Sequence, residues 1–204
     1  MDTNLMTQAQ RSQEKKQQIF ETAMEMFRQK GYNQTTIRDI CAASGITTGT
    51  FYNFYGDKFG ILLEYLRQIT EEREHILEYT PEKLSDPYQT ICDYFMMVVQ
   101  MQDRFGRDLS REFGYRSTDL LAGGSESEIP GIHQIAMFFQ KAIEAGHLPE
   151  TVNPWYTAEY LVSGLIGSIQ YWCNLSRKET MYEVAKRLLP MIFASVADKP
   201  VVIP

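Results

Sequence analysis

The stretch from Thr35 to Lys58, TTIRDICAASGITTGTFYNFYGDK, constrains the fold of this chain more than any other. Its pattern predicts two short helices joined by a glycine-bearing turn. Thr36 suits the N-cap of the first helix, and Asp39 three residues later completes a capping box. Gly45 readily takes the positive φ needed where that helix ends, and Thr47 is placed to cap the second. This order of caps and turn predicts a helix-turn-helix.

The second of these helices has an unusual composition for a surface helix. It carries small hydroxyl residues and a glycine where Lys, Glu and Gln would be ordinary. Phe51 and Tyr55, four residues apart, are expected in the core, whereas Tyr52 and Asn53 fall on another side. Many helical proteins contain such corners and bind no DNA. The composition nevertheless favours DNA binding, because the second helix of this motif enters the major groove.

A longer run, GYNQTTIRDICAASGITTGTFYNFYGDK, resembles the N-terminal signature of the TetR family of bacterial transcriptional regulators. Its most specific part is Gly45 to Tyr52 followed by Lys58, and the resemblance covers about residues 12–70. Phe59 and Gly60 depart from the family pattern, in which acidic residues commonly follow the lysine.

The resemblance implies an all-α architecture of about nine helices. A three-helix DNA-binding head with the helix-turn-helix would occupy residues 1–56, and a larger helical effector and dimerisation domain residues 57–204. A first helix is expected from about Ser12 to Lys30. One buried stripe along it is predicted from helical spacing and comprises Ile19, Phe20, Ala23, Met24 and Phe27.

The remaining chain also shows helical spacing and turn residues. Asp57 is expected to cap a fourth helix reaching about Glu78, with an apolar side made of Phe59, Leu62, Leu63, Leu66 and Ile69. Further helices are predicted over residues 88–103, 132–145, 155–174 and 179–197. Gly106 and Gly114 are expected to break the chain, 122–131 to form a loop, and the tail from Lys199 to be loose.

Side-chain chemistry and the resemblance together assign contacts with a double-stranded DNA operator. The residues expected to hold phosphates are Thr36, Thr47, Tyr52 and Lys58, the last by its charge. Those expected to reach base edges are Arg38, Thr48, Thr50 and Asn53. Arginine suits guanine, asparagine an adenine or a phosphate, and threonine a thymine methyl. Gly49 is expected to let the helix lie close to the DNA.

The C-terminal part is rich in methionine and aromatic residues. Such residues are more often core than pocket, but they also line adaptable sites for apolar molecules. Because the resemblance implies an effector domain, we expect a pocket for a small, largely apolar or aromatic molecule. Its candidate residues are Tyr94, Met97, Val98, Met101, Gln102, Phe105, Phe113, Phe138 and Tyr171.

The last two predicted helices are the expected subunit interface of a homodimer. Two helices from each subunit would form a four-helix bundle about a two-fold axis. The alternative is that both helices are core of a single chain. The interface residues expected from apolar spacing are Leu161, Gly164, Leu165, Ile169, Trp172, Leu188, Leu189, Ile192 and Phe193. A dimer would present two heads to a palindromic operator.

Charge and reactive residues narrow the function classes. The net charge is −6, yet residues 1–58 hold seven Lys and Arg against six Asp and Glu. A near-neutral head on an acidic body suits DNA contact through a small face, although random drift of surface charge explains it nearly as well. No catalytic residues, metal site or cofactor are predicted, because the histidines are isolated and the cysteines are widely spaced. The three cysteines, Cys41, Cys92 and Cys173, are expected to be buried thiols.

No signal peptide or membrane span is suggested, so a cytoplasmic location is expected. A ligand-responsive repressor is the favoured function. Two alternatives stay open at this point: a DNA-binding protein whose C-terminal domain binds a protein partner, and a helical enzyme whose head is coincidental.

Overall fold

The computed structural model describes residues 7–122 and 131–204, without the side chains of residues 66, 69–75, 113 and 115–122. Every regular element in this part of the chain is helical, which confirms the all-α expectation. A 3₁₀ turn, Glu74–Leu77, follows the fourth of the described α-helices. These helices are α1 Gln8–Lys30, α2 Ile37–Ser44, α3 Thr48–Tyr55, α4 Lys58–Arg73, α5 Pro81–Ser85, α6 Pro87–Ala122, α7 Ile132–Glu144, α8 Pro154–Cys173 and α9 Met181–Phe193.

The chain divides into two compact units, Met1–Glu71 and Glu72–Pro204. The first unit includes most of α4, whereas the sequence placed the boundary at residue 56. Side chains of α4 contact α1, because the ring of Tyr65 stacks on that of Phe20 with centroids 6.2 Å apart. We call the N-terminal unit the head. It consists of α1–α3 and most of α4, which packs on α1.

Helix α1 begins earlier than expected. Thr7 caps it: its hydroxyl oxygen accepts from the backbone N–H of Gln10, whose side chain accepts from the N–H of Thr7. The start expected at Ser12 is wrong, because this capping box lies five residues earlier. The predicted stripe from Ile19 to Phe27 is confirmed as the buried face of the helix.

Helix α4 starts where the sequence placed it. The carboxylate of Asp57 accepts from the backbone N–H of Gly60 at 2.9 Å, as expected of an N-cap. Phe59 and Leu62 are buried as predicted, but Leu63 is 40 % exposed and Ile61 is fully buried in its place. The buried side of α4 thus includes Ile61 rather than Leu63, so the predicted apolar side is displaced around the helix axis. Its remaining members, residues 66 and 69, lie outside the described side chains.

A buried carboxylate joins α4 to α1. Glu64, 8 % exposed, receives the ammonium of Lys16 at 2.7 Å, the guanidinium of Arg67 at 2.5 Å and the side-chain amide of Gln68 at 3.3 Å. These donors, Arg67 foremost, hold the pKa of Glu64 at about 2 against the opposing effect of burial. Charge-assisted hydrogen bonds of this kind stabilise the ionised carboxylate.

We expect Glu64→Gln to lower the free energy of unfolding at pH 7 by about 1–3 kcal/mol, the range for hydrogen bonds to a charged group. Because the pKa of Glu64 is depressed in the folded state, its contribution is present above pH 4.5 and is lost as the pH falls towards 2. Urea unfolding measured between pH 7 and 2.5 should show that the free energy of unfolding decreases less with falling pH in the variant than in the unsubstituted protein. Glu25→Gln, at an exposed pair with Arg28, is the matched control and should behave like the unsubstituted protein.

The C-terminal unit is built around one core shared by α6, α7, α8 and α9. Its largest fully buried side chains include Phe95, Phe138, Phe139 and Phe193. Cys92 and Cys173 lie in this core and Cys41 in the head, all three as buried free thiols, which confirms their expected placement. Burial raises the pKa of Cys92 to about 12, as expected of a thiol in apolar surroundings.

Helix α6 is longer than predicted and bends at Gly106, where φ is 74° and ψ is 165°. The break expected at Gly106 is confirmed, but Gly114 lies within helical backbone and does not interrupt it. An added Cβ at Gly114 would overlap the side-chain amide of Gln170 on α8. Gly114 is therefore explained by helix packing rather than by a turn. Most of the loop expected over residues 122–131 lies outside the described residues.

The loop between α8 and α9 is held by charged residues of α6. The guanidinium of Arg107 donates to the backbone carbonyls of Leu175, Arg177 and Glu179 at 2.6–2.8 Å. The carboxylate of Asp103 accepts from the first backbone N–H groups of α9 at 2.5 and 3.0 Å. Both charges thus satisfy backbone groups that helix ends leave unpaired.

The C-terminal tail is docked, so the expectation of a loose tail is wrong. The side-chain amide of Gln89 donates to the carbonyl of Val202 at 2.9 Å and accepts from its N–H at 2.7 Å. The hydroxyl of Tyr182 donates to the carbonyl of Pro204 at 2.8 Å, and Val201 and Ile203 pack against the core.

Among the helices described here, none combines the length and the apolar character that crossing a membrane requires.

Candidate nucleic-acid interface

Helix α2 is capped as the sequence predicted. The hydroxyl oxygen of Thr36 accepts from the N–H of Asp39 at 3.1 Å, and the Asp39 carboxylate accepts from the N–H and hydroxyl of Thr36 at 3.0 and 2.8 Å. These bonds, the backbone one foremost, lower the pKa of Asp39. Gly45 ends the helix in the left-handed region, with φ 65° and ψ 35°. The turn of the motif is therefore fixed at both ends.

Helix α3 is capped by Thr47, which is also as predicted. Its hydroxyl oxygen accepts from the N–H of Thr50 at 3.2 Å, and the two hydroxyl oxygens lie 2.9 Å apart. The half-buried Thr50 hydroxyl is thus paired with the cap, while its neighbours Thr48 and Gly49 are exposed. The first turn of α3 accordingly presents backbone and small side chains to solvent.

The two faces of α3 separate as expected. Phe51 is fully buried and Tyr55 is 8 % exposed, and the Tyr55 hydroxyl donates to the carbonyl of Lys16 at 2.6 Å. Tyr52, on the other face, is 52 % exposed, and Asn53 beside it is exposed too. The core face anchors α3 on α1, and the opposite face is available to a partner.

The exposed face can recognise a polyanion. The exposed side chains of α3 include the amide of Asn53 and the hydroxyls of Thr48 and Tyr52, and the guanidinium of Arg38 is exposed on α2. No acidic residue occurs between Asp39 and Asp57. Donors without competing carboxylates suit contacts with phosphates and base edges. Thr36 and Thr47 are exposed beside this face, although their hydroxyl oxygens also serve as caps.

Lys58 is placed differently from an exposed phosphate anchor. Its ammonium donates to the backbone carbonyls of Tyr32 at 2.7 Å and Thr35 at 2.9 Å. It also lies 4.0 Å from the centroid of the Tyr32 ring, a cation–π distance. Lys58 therefore fastens the loop between α1 and α2 to the start of α4. Sequence reasoning missed this role because the partners are backbone groups 23 and 26 residues away.

The predicted effector residues do not all share one environment. Met101, Gln102 and Phe138 are buried, whereas Tyr171 on α8 is 47 % exposed and does not line an enclosed site. Phe138 belongs to the common core, and the side chain of Phe113 lies outside those described. The half-buried members are Tyr94, Met97, Val98 and Phe105.

Most of the predicted interface residues pack within their own chain. Gly164 lies against Ile192 of α9, so that an added Cβ would approach its Cγ2 within 2.8 Å. Ile169, Leu188 and Ile192 are partly buried against the core. Five of the predicted interface residues are buried in the core that α8 and α9 form with α6 of the same chain: Leu161, Leu165, Trp172, Leu189 and Phe193.

A different face of α8 is apolar and exposed. Tyr156, Tyr160 and Tyr171 are 70 %, 46 % and 47 % exposed, and their spacing puts them on one side of the helix together with Gly167. Met191 of α9 is 71 % exposed. We call Tyr156, Tyr160, Gly167 and Tyr171 of α8, together with Met191 of α9, the tyrosine face. In the sequence, this face is indicated by the spacing of the tyrosines, which differs from that of the buried apolar residues of α8.

Comparison with known proteins agrees with this geometry. Residues 19–65 match the family model described as bacterial regulatory proteins, tetR family. The HTH-type transcriptional regulator HbdR of Aromatoleum sp. (strain CIB) is 26 % identical over 188 residues, which cover 88 % of this chain and 80 % of that protein.

Two solved structures share the fold over most of their length. Thermus thermophilus FadR, a TetR-family repressor in complex with lauroyl-CoA, superposes with a TM-score of 0.67 at 22 % identity, covering 93 % of this chain and 98 % of that one. SmeT, the repressor of the Stenotrophomonas maltophilia multidrug efflux pump SmeDEF, gives 0.64 at 20 % identity, covering 93 % and 95 %. Residues 19–65 of the chain, with the capped helix-turn-helix, are thus similar to the N-terminal domain of the tetR family of bacterial regulatory proteins, and the chain shares the fold of solved TetR-family structures.

Proposed function

We propose that the chain is a homodimeric, ligand-responsive repressor that leaves a palindromic DNA operator when a small, largely apolar or aromatic effector binds. The observation that carries the proposal is the outer face of α3, where Thr48, Gly49 and Asn53 are exposed on a helix fixed from behind by Phe51 and Tyr55. A rigid helix with small polar side chains at its N-terminal end suits the major groove.

The outer face divides into reading and anchoring groups. Arg38 carries two donors for a bidentate contact with guanine, Asn53 carries a donor and an acceptor for adenine or a donor for a phosphate, and Thr48 and Thr50 supply methyl groups for thymine. Thr36, Thr47 and Tyr52 hold phosphates through hydroxyl or backbone groups. Lys58 contributes positive charge at the start of α4 and keeps the loop before α2 in place through its carbonyl contacts.

Replacing Gly49 by alanine should separate folding from DNA binding. The nearest atom to an added Cβ is the Thr47 hydroxyl oxygen at 3.8 Å, so alanine fits and should raise the free energy of unfolding by up to about 1 kcal/mol. The same methyl group would hold α3 away from the groove, and we expect roughly tenfold weaker operator binding. Urea unfolding and fluorescence anisotropy on one protein sample would measure both. Operator affinity equal to that of the unsubstituted protein would contradict close approach at this position.

The tyrosine face supports dimerisation. Tyrosine and methionine are enriched in the centres of protein interfaces, where charged residues are depleted. Gly167 lies in the middle of this face, with no atom within 4 Å of the position of an added Cβ, so that a partner helix can approach closely. A dimer is also what recognition requires, because one short helix contacts too few bases to specify an operator.

Gly167→Arg should abolish the dimer without harming the folded chain. The side chain points into open space, and replacing a helical glycine favours the helix by roughly 0.5–1 kcal/mol. Sedimentation velocity should show a monomer with an unchanged circular dichroism spectrum. Gln100→Arg, on the exposed side of α6, adds the same charge elsewhere and should remain dimeric. A dimeric Gly167→Arg protein would place the interface on another surface.

An effector would act through the C-terminal unit. The half-buried methionine and aromatic residues of α6 are the proposed lining, and one solved relative in fold is described as a complex with lauroyl-CoA. Release requires that the effector binds the DNA-free conformation more tightly than the DNA-bound one. Helix α4 runs across the division between the two units, so a change in its tilt would alter the spacing of the two heads.

A further inference from the structure

The bend in α6 brings two buried polar side chains to its inner side. Eight residues of straight α-helix advance about 12 Å, yet the hydroxyl oxygen of Ser110 lies 3.5 Å from the backbone carbonyl oxygen of Gln102. The positive φ of Gly106 produces this sharp bend. Gln102 is 3 % exposed and Ser110 is fully buried. The inner side of the bend is therefore a shielded polar position within an apolar helix bundle.

The side chain of Gln102 has an acceptor that no donor in the described part of the chain reaches. Among the described residues, none donates to its side-chain carbonyl oxygen Oε1, which is buried. Nearly all buried polar atoms in folded proteins have a partner, and one left unsatisfied is unfavourable. The buried oxygen of Gln102 could therefore accept a hydrogen bond from a bound ligand.

The surroundings define what kind of donor fits. Met101 is buried and Val98 and Phe105 are half-buried on the adjacent turns of α6. Of the charged residues flanking the bend, Asp103 binds the first N–H groups of α9, Arg107 binds backbone carbonyls of the α8–α9 loop, and Arg104 and Asp108 are exposed. Among the side chains that the structure describes at the bend, a bound molecule would therefore meet the neutral acceptor of Gln102 and apolar groups.

We propose that the effector is a neutral, mostly apolar molecule that donates one O–H or N–H hydrogen bond to Oε1 of Gln102 at the bend of α6. This inference rests on the proposed ligand-responsive function and specifies the chemical class of the effector. Because Asp103 and Arg107 join the bend to the α8–α9 loop, the occupied site is connected to the helices that carry the tyrosine face.

The first test needs no ligand and uses the full-length protein refolded from denaturant. Gln102→Leu replaces the unsatisfied amide by an apolar group of similar volume, so the melting temperature should rise by about 2–4 °C. Gln100→Leu, two residues away on the exposed side of α6, should leave it unchanged. A fall in melting temperature for Gln102→Leu would mean that the oxygen is satisfied in the free protein, and it would overturn the proposal.

The second test measures the donor with matched probes. Calorimetric titration would compare 2-naphthol with 2-methoxynaphthalene and indole with 1-methylindole, pairs in which methylation removes the donor. In the unsubstituted protein and in Gln100→Leu, the donor of each pair should bind roughly three- to tenfold more tightly. Gln102→Leu should remove the preference.

Three outcomes would contradict the proposal: equal binding within each pair, a preference that persists in Gln102→Leu, or no binding of any probe. Operator binding measured on the same samples separates these failures from failure of the DNA-binding function. A protein that binds its operator but shows no donor preference retains the regulatory assignment and loses the Gln102 contact.

Discussion

The Thr48→Asp protein should fold normally and lose operator binding. Thr48 is the first residue of α3 and is exposed, and a carboxylate at the N-terminus of a helix interacts favourably with the helix dipole. Folding is therefore preserved or slightly favoured. On DNA the same charge would face phosphates and base acceptors in both heads of a dimer.

The expected loss of affinity is large. A good base contact contributes about 1–3 kcal/mol, so two heads lose roughly 2–6 kcal/mol, which corresponds to about 30-fold or more. Fluorescence anisotropy with a labelled operator at fixed salt would measure it. Thr151→Asp, at an exposed turn of the C-terminal unit, changes the net charge equally and should bind almost normally. Unchanged affinity of Thr48→Asp would remove α3 from the interface.

The second large effect is expected at Gly60, in the first turn of α4. An added Cβ at Gly60 would overlap the backbone carbonyl oxygen of Tyr55. That carbonyl also accepts from the N–H of Asp57 at 2.7 Å, and the Tyr55 hydroxyl is bonded to the carbonyl of Lys16. Since Tyr55 is held at both ends, it cannot move aside without shifting α3.

Gly60→Ala should therefore lower the free energy of unfolding by about 1–3 kcal/mol, the usual range for an overpacked site. Urea unfolding followed by circular dichroism is the measurement. Gly49→Ala makes the same substitution one helix earlier, in open space, and should be stabilising. If Gly60→Ala is as stable as Gly49→Ala, the close contact with the carbonyl of Tyr55 is not present in solution. The departure of Gly60 from the acidic residue common in the family thus has a steric explanation.

The parts of the fold predicted from the sequence depend on local interactions. The caps at Thr36 and Thr47 join residues only three positions apart, and the turn at Gly45 depends on the backbone freedom of one residue. The buried stripe of α1 follows from helical periodicity alone. Such features need no knowledge of distant chain segments, and they account for most of the head.

The features missed by sequence reasoning depend on distant segments. Arg107 binds carbonyls 68–72 residues away, and Gln89 fastens the tail across 113 residues. Apolar periodicity also does not distinguish a helix face covered by its own chain from one covered by a second copy. For this reason Leu161 and Leu165 were assigned to an interface that their own chain already buries.

Selection of DNA by the full-length protein from a random-sequence library, at stated salt and followed by sequencing, would test operator recognition by a dimer. We expect a palindromic consensus whose half-sites are centred about one helical turn apart, as two heads of a dimer require. The same selection with Thr48→Asp should yield no consensus. Failure of the unsubstituted protein to enrich any sequence, both as purified and after refolding without ligand, would contradict DNA recognition by α3.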